Sequence, residues 1–266
     1  MMIKDFEFKN NYEFDDLVKI MEILRSQNGC PWDKEQTHDS IRNNFLEEVY
    51  EVLDAIDRDD KTDLKEELGD VLLQVVFHTQ IEKEQNGFDL SDVADGICKK
   101  LILRHPHIFG EVKADTSEKV LDNWDKIKMQ EKGQKSYTDT LKSVPNAFPA
   151  LMRATKVQKR AAKANFDWDD IYEPLMKIGE ELSELEEAIE NGCMMSVSEE
   201  LGDLLFSVVN VSRFLKLDCD ETLNRATDKF IDRFQKVEQE CINRGIDMKA
   251  STLEELDKIW EEVKHK

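Results

Sequence analysis

Apolar residues recur at every third or fourth position along most of this chain, and that spacing places them on one face of an α-helix. The periodicity predicts helices over residues 14–27, 40–57, 63–85, 90–103, 117–131 and 220–241. Gly and Pro, which interrupt regular elements, number only 10 and 5 among the 266 residues. That is too few for a turn-rich β protein. We therefore expect an all-α fold of long helices.

The pattern starts again about halfway along the chain. The string EEVYE at 47–51 returns as EELSE at 180–184, and EELGD at 66–70 returns unchanged at 199–203, with the same separation. Three further landmarks recur in the same order: Trp32-Asp33 with Trp168-Asp169, Lys100 and Arg104 with Lys229 and Arg233, and Trp124 and Lys128 with Trp260 and Lys264. These matches predict a tandem duplication of one helical-bundle module. We expect modules at 1–135 and 150–266, joined by a polar linker at 136–149.

The repeated acidic strings predict a cation site in each module. Glu48 and Glu51 are three residues apart and share a helix face. Glu67 and Asp70 form a polar stripe on the next helix, which is apolar nearly all round over 68–77 and is therefore expected to be buried. Four carboxylates that face one another across a helical hairpin cannot all be ionised without a cation, since each buried charge costs several kcal/mol.

The second module repeats this set with Glu181, Glu184, Glu200 and Asp203. All the donors are oxygens, without Cys or His, and such a set favours Mg²⁺ or Mn²⁺ over zinc or copper. A single pair of acids three residues apart usually marks only a solvated helix face, but here one pair lies on an apolar helix and the whole arrangement occurs twice. The glycine inside each EELGD string, Gly69 or Gly202, is expected to allow close approach of the facing helix or a ligand.

Basic residues later in the second module fit the same chemistry. Lys229 and Arg233 share one face of the helix predicted at 220–241, and Trp260 lies with Lys264 further along. Beside a bound Mg²⁺ they would form a clamp for a triphosphate, because Arg and Lys neutralise phosphate oxygens that the metal bridges. Trp260 could equally be a core residue. No GxxxxGK[ST] string is present, which argues against an ordinary P-loop ATPase.

Charge and cysteine usage narrow the cellular setting. The formal net charge of −21 repels phosphate backbones, so we expect no polymeric nucleic acid as partner. No apolar run approaches the roughly 18 residues that a membrane-spanning helix needs, and residues 1–10 lack the apolar segment of a signal peptide. The cysteines are scattered and form no CxxC pair, which argues against a disulfide framework. We expect a cytoplasmic protein without a membrane partner.

The two ExxE…ExxD units resemble the MazG family of nucleoside triphosphate pyrophosphohydrolases. The string GCPWDKEQT at 29–37 is similar to that family's N-terminal signature, and RHPHIF at 104–109 and NFDW at 165–168 are also similar to the family. The resemblance covers nearly the whole chain, in the two-domain form of the family. It implies an all-α homodimer that uses Mg²⁺ to hydrolyse an NTP or dNTP to the monophosphate and pyrophosphate, in nucleotide-pool house-cleaning.

The resemblance also implies roles for residues of the C-terminal module, which would carry the activity. The implied metal ligands are Glu181, Glu184, Glu200 and Asp203, and the implied triphosphate contacts are Lys177, Lys229, Arg233, Trp260 and Lys264. Glu181 or Glu200 would act as general base, while Lys229 and Arg233 would stabilise charge on the leaving group. Lys177 has Asn44 as its counterpart in the first module. The N-terminal acids are otherwise complete, so activity of that module stays open.

Two other functions stay open at this stage. A different hydrolase could release orthophosphate or accept only a pyrimidine nucleotide. Alternatively, the duplication could be a metal-stabilised scaffold that binds a partner protein, although structure alone does not require Lys177, Lys229 and Arg233. Base preference is not encoded in any spacing of the sequence.

Histidine-containing metal sites are less well supported. A di-iron bundle uses ExxH motifs on paired helices, but the ExxH strings at 35–38 and 262–265 do not recur in the other half. His105 and His107 flank Pro106, and this arrangement favours a structural turn over a pair of metal ligands.

Overall fold

A computed structural model describes residues 6–112 and 116–264. These residues form helices and loops, and none of them lies in a β-strand, which confirms the all-α prediction. The predicted helices of the first half are all present, with small differences at their ends. The helices of the described residues are α1 (Phe14–Arg25), α2 (Pro31–Glu35), α3 (Arg42–Asp57), α4 (Lys61–Glu84), α5 (Leu90–Arg104), α6 (Pro106–Phe109), α7 (Ser117–Glu131), α8 (Tyr137–Lys142), α9 (Ala150–Lys163), α10 (Tyr172–Glu190), α11 (Met194–Phe214), α12 (Cys219–Arg244) and α13 (Leu253–Lys264).

The chain divides into two compact units, Met1–Lys128 and Met129–Lys266. In the first unit, α3 and α4 form the main helical hairpin, and α1 packs on α4. The turn between α3 and α4 is short because Asp59 adopts a left-handed φ of 51° and the side chain of Asp60 then caps α4. The core of this unit consists of Met21, Ile41, Val76, Phe77 and Ile81.

The second unit is built around the hairpin of α10 and α11. Gly192, with φ of +70°, turns the chain between these two helices, a conformation that glycine adopts without strain. Helix α9 packs on α11, and α12 packs on α13. The α12–α13 pair encloses a small core of Val237, Cys241, Ile259 and Val263.

The segment predicted as a linker at 136–149 contains α8. Ser136 and Asp139 form a capping box at its start, since each side chain accepts from the other residue's backbone N–H. The helix packs on α9, where Arg160 donates to the carbonyl of Thr140 and, at 2.9 Å, to Ser143 Oγ. This segment is therefore an ordered part of the second unit, which begins before the predicted module boundary.

The apolar sequences of α4 and α11 had suggested that these helices are buried. In the structure, each of them keeps an exposed apolar side. On α4, Val76 and Phe77 are buried, but the side chains of Leu68 and Leu72 are 51% and 39% exposed. On α11, Leu205 is likewise 53% exposed. The prediction of burial was wrong for these leucines, because the helices that pack on α4 and on α11 within each unit leave them exposed. Each unit thus retains an apolar face of a kind that usually marks an interaction surface.

The close approach expected at the two repeated glycines is also absent within each unit. A Cβ atom built on Gly69 or Gly202 would meet no other described heavy atom within 4 Å. Among the described residues, no helix is both long enough and apolar enough to cross a membrane.

Candidate functional site

Three carboxylates meet on the hairpin of the second unit. Glu181 and Glu184 lie one turn apart on α10, and Glu200 lies on α11. One oxygen of each lies within 4.8 Å of the others. Glu181 is buried, Glu200 is half-buried and Glu184 is exposed. The group therefore has one side in the protein and one side open to a ligand.

Lys177 supplies the positive charge that this carboxylate group needs. It lies one turn before Glu181 on α10, and its Nζ is 2.7 Å from Glu181 Oε1 and 3.1 Å from Glu180 Oε2. Hydrogen bonds to Glu181 and then Glu180 raise the pKa of the Lys177 ammonium above its usual value. The family resemblance implied that Lys177 contacts a triphosphate. It did not predict the contact of Lys177 with Glu181, one of the expected metal ligands.

The carboxyl of Glu200 has a pKa above its usual value. Burial of its carboxyl raises the pKa of Glu200, and repulsion from Glu184 and Asp203 raises it further. Asp203 is exposed and lies one turn after Glu200 on α11, but its oxygens fall outside the group of three. Its role as a fourth ligand stays a prediction.

The first unit holds a corresponding group of Glu48, Glu67 and Asp70, all half-buried, with oxygens within 4.8 Å of one another. Burial raises the pKa of Glu48 and of Glu67. Repulsion from a neighbouring carboxylate, chiefly Asp70 for Glu48 and Glu51 for Glu67, raises each pKa further. Glu51 is exposed, and like Asp203 it lies outside the group of three.

A buried glutamine borders this first-unit group. Gln74 Nε2 donates to Glu48 Oε1 at 3.5 Å, while Gln74 Oε1 is buried and accepts no hydrogen bond within the described residues. The residue of the second unit that corresponds to Gln74 in the sequence repeat is Ser207. Only the first unit therefore has an amide at this position. The two acid groups therefore have different partners: a lysine ammonium contacts the group of the second unit, and an uncharged amide contacts that of the first.

The donor atoms of both groups suit a hard divalent cation. Every donor is a carboxylate oxygen, and such oxygens are the ligands that Mg²⁺ and Mn²⁺ prefer. The raised pKa of Glu200 and of Glu48 has burial as its first cause and repulsion from neighbouring carboxylates as its second. A divalent cation would relieve this repulsion, so the residues present fit the predicted metal.

The basic residues predicted to bind phosphate lie on other helices of the second unit. Lys229 is exposed and Arg233 is half-buried on α12, and within the described part of the chain neither forms an ion pair or hydrogen bond. Lys264, on α13, is 3.1 Å from Glu261. No hydrogen bond or ion pair joins these cations to the carboxylate group within the described residues.

Trp260 is half-buried, and its contact with nucleotide stays a prediction. It packs on the α12–α13 core, and its ring centroid is 5.2 Å from that of Phe230. The equivalent Trp124 of the first unit has a different neighbour: the guanidinium of Arg104, a buried residue, lies 5.1 Å from its ring centroid. The two units thus place their LysxxxArg arginines in different environments.

A histidine pair that the sequence analysis missed lies in the first unit. His38 Nδ1 is 2.8 Å from His78 Nδ1, and His38 Nε2 is 2.9 Å from Glu82 Oε1. The ring planes differ by only 5° and the centroids are 5.1 Å apart, so the rings meet edge to edge in nearly one plane. The only sequence signal was the placement of His78 and Glu82 four residues apart on α4.

The two ExxH strings and His105 give no support to a histidine metal site. His38 contacts Glu82 rather than Glu35 of the ExxH string, and His265 of the second string lies outside the described residues. His105 Nδ1 is 2.6 Å from the carbonyl oxygen of Leu101, a contact at the end of α5 that fits the predicted structural turn.

Two all-α units, each with three grouped carboxylates on a helical hairpin, define a class of duplicated helical proteins suited to binding divalent cations. The chain belongs to the MazG family: the model of the MazG nucleotide pyrophosphohydrolase domain matches residues 36–109 and 173–238. These segments contain the two hairpins, so the family match confirms the predicted resemblance and the tandem duplication.

Known relatives align along nearly the full chain. A nucleoside triphosphate pyrophosphohydrolase of Escherichia coli (strain K12) is 43% identical over 255 residues, covering 95% of this chain and 97% of that protein. The Thermotoga maritima nucleoside triphosphate pyrophosphohydrolase/pyrophosphatase MazG is 45% identical over 251 residues, covering 94% and 95%. An uncharacterised Bacillus subtilis protein, YabN, is 44% identical over 254 residues, which cover 52% of its length.

Proposed function

We propose that this chain is a hydrolase that converts nucleoside triphosphates, NTP or dNTP, to the monophosphate and pyrophosphate with Mg²⁺ or Mn²⁺. The names of full-length relatives support the reaction class. The observation that carries the proposal is the carboxylate group of Glu181, Glu184 and Glu200 on the second hairpin. Its donor set and charge crowding match the cation that a triphosphate requires.

Glu181, Glu184 and Glu200 would hold the metal, with Asp203 as a fourth ligand. When bound, it neutralises triphosphate charge and polarises the reacting centre. Glu181 is fixed by its burial, and the exposed Glu184 closes the group from the solvent side. Lys177, on the same helix, then faces the phosphates.

A carboxylate of the group removes a proton from the attacking water. Either Glu181 or Glu200 serves as this base. The water oxygen forms a bond to the α-phosphorus, while the bond from that phosphorus to the bridging oxygen of pyrophosphate breaks. The proton passes to the carboxylate.

The cations of α12 and α13 bind the nucleotide. Lys229 and Arg233, which have no acidic partner among the described residues, stabilise charge on the departing pyrophosphate. Lys264 exchanges its contact with Glu261 for a phosphate oxygen, and Trp260 forms part of the nucleotide contact surface. These groups must approach the carboxylates in the bound state.

The exposed apolar sides of the hairpins support a homodimer. Leu68 and Leu72 in the first unit and Leu205 in the second are partly exposed, and a second copy of the chain would cover them. The acidic surface supports exclusion of polymeric nucleic acid, and the free state of all five cysteines is consistent with a cytoplasmic enzyme. Its role would be nucleotide-pool house-cleaning.

The first unit is the weaker candidate for catalysis. Its acid group of Glu48, Glu67 and Asp70, with Glu51 nearby, could hold a cation, but Lys177 is replaced by Asn44. We assign this unit a structural or weakly active role.

Product analysis with a panel of NTPs and dNTPs and added Mg²⁺ tests the proposal. The wild type should release monophosphate and pyrophosphate, Glu200→Ala should abolish release, and Glu67→Ala should leave most of it. Orthophosphate as the first product would contradict the proposed reaction. If no nucleotide is hydrolysed, the metal-stabilised scaffold becomes the better explanation. Equal loss in both variants would contradict the assignment of activity to the second unit.

A further inference from the structure

We propose that Lys177 is a built-in counter-ion: it occupies the carboxylate group of the second unit until a divalent cation displaces it, and then it contacts the triphosphate. The inference rests on the proposed function, because it assumes the metal at Glu181, Glu184 and Glu200. It goes further by giving one side chain two successive partners. The second unit would then bind metal in competition with its own lysine.

The contact of Lys177 with Glu181 supports the first half of this proposal. The ammonium is 2.7 Å from Glu181 Oε1, and the Glu181 side chain is only 8% exposed. Glu181 also belongs to the group whose oxygens lie within 4.8 Å of one another. A buried carboxylate without a partner is costly, so some cation must stay close to it whether or not metal is present.

The surroundings of Lys177 support the second half. Its side chain is 36% exposed and ends in a compact charge on a flexible stem, so it can leave without disturbing the helix. Glu180, which is 58% exposed and lies outside the carboxylate group, is already 3.1 Å from the same ammonium. Lys177 can therefore release Glu181 and keep an acidic neighbour until phosphate arrives.

The first unit provides an internal comparison. Asn44 stands in the place of Lys177, and the polar side chain that touches the acid group there is Gln74, whose amide donates to Glu48 at 3.5 Å. An amide carries no net charge to be displaced. Metal binding in the first unit should therefore lack the competition that we assign to the second.

The proposal predicts two effects of opposite sign in Lys177→Met. The affinity for a divalent cation alone should rise by about 1.4- to fivefold, which corresponds to the ~0.2–1 kcal/mol of a partly exposed ion pair. The affinity for nucleotide in the presence of metal should fall, because a phosphate contact is lost. A purely structural role for Lys177 would weaken both.

The experiment measures Mn²⁺ binding by calorimetry, with free Mn²⁺ checked by electron paramagnetic resonance. The full chain carries Glu67→Gln in every sample, so that the remaining strong site is in the second unit. In this background we compare the parent with Lys177→Met and Lys177→Arg. The Mn²⁺ affinity of the Arg variant should stay close to that of the parent, because the ion pair is preserved. The converse experiment tests the first unit, in a chain whose second site is weakened by Glu200→Gln. There, Asn44→Lys should weaken Mn²⁺ binding in the first unit.

The outcomes separate this proposal from the one on which it rests. Tighter Mn²⁺ binding with weaker nucleotide binding in Lys177→Met supports the counter-ion role. Equal or weaker Mn²⁺ binding in Lys177→Met, with clear binding in its parent, overturns that role but leaves the proposed function standing. If neither chain binds Mn²⁺ in the second unit, the proposed metal site fails, and the counter-ion role fails with it.

Discussion

Phe230 packs against Trp260, with the two ring centroids 5.2 Å apart. In the first unit the equivalent tryptophan, Trp124, has the guanidinium of Arg104 at 5.1 Å from its ring centroid instead. Among the described residues, Arg233 makes no such contact with Trp260 and forms no ion pair or hydrogen bond. The contact with Phe230 positions the tryptophan that we propose as part of the nucleotide contact surface.

Replacing Phe230 should therefore affect nucleotide binding more than folding. Phe230 is 55% exposed, and the first unit has Leu101 at this place in the repeat. We expect Phe230→Leu to raise KM by about two- to tenfold, since an aromatic pair contributes ~0.5–1.5 kcal/mol. Steady-state kinetics and a thermal melt would check this, with Leu101→Phe as the matched control that should leave KM unchanged. A large drop in Tm with unaltered KM would contradict it.

Glu200→Gln should stabilise the metal-free protein while it lowers activity. The amide removes a charge that burial and the neighbouring acids disfavour, so the Tm of the metal-free chain should rise. We expect kcat to fall by about 100-fold or more if Glu200 is the base. Calorimetry with a chelator and a turnover assay measure the two effects. Glu199→Gln, on an exposed neighbouring side chain, is the control and should change kcat little.

The histidine pair should make the stability of the first unit depend on pH. Burial, and then repulsion from His38, lower the pKa of His78 below its ordinary value of 6.5, so the folded state favours the neutral ring. The unfolded chain therefore gains a proton first as the pH falls, and the free energy of unfolding should decline below about pH 6.5. Above that pH the His78 contribution should be constant.

Hydrogen exchange of α4 at several pH values would localise this loss. The neighbouring charges of the pair are Glu82, which contacts His38, and Arg42, which lines the same pocket. His78→Gln should flatten the pH dependence, whereas His105→Gln, on α5's end, should not. A pH response that persists in His78→Gln would assign it to another group.

The exposed apolar side of α11 should be needed for dimer formation. Leu205→Lys places a charge on a side chain that is 53% exposed in the single chain and would be covered in a dimer. We expect this variant to sediment as a monomer at concentrations where the parent is a dimer. Leu253→Lys, on a leucine that is 83% exposed on α13, is the control. Identical sedimentation of both variants would contradict this placement of the interface.

The sequence predicted the long helices of the first half, α12 and the acid groups, because periodic spacing controls them. Glu181 and Glu184 had to share a face of α10, and the exact repeat of EELGD had to place Glu200 on the next helix. Helix α8 was missed because Pro145 and Pro149 suggested a linker, although Ser136 and Asp139 had the spacing of a capping box.

Other features depended on side-chain conformation and could not be predicted from spacing. Lys177 lies one turn from Glu181 in any helix, yet a free or paired ammonium is equally compatible with that spacing. His38 and His78 are far apart in the sequence, so only the fold brings them together. The exposed side of α4 was missed because an apolar helix can be covered by its own chain or by a partner.

The different settings of the two arginines change how sequence variation in this family should be interpreted. Arg104 is buried over Trp124, so a substitution there is a packing defect, and its consequence would be a lower abundance of correctly folded protein. Among the described residues Arg233 makes no comparable ring contact, so we expect a substitution there to leave abundance intact and to lower activity instead. Two changes at matching positions of an internal repeat would thus produce distinct defects, one in protein quantity and one in protein quality.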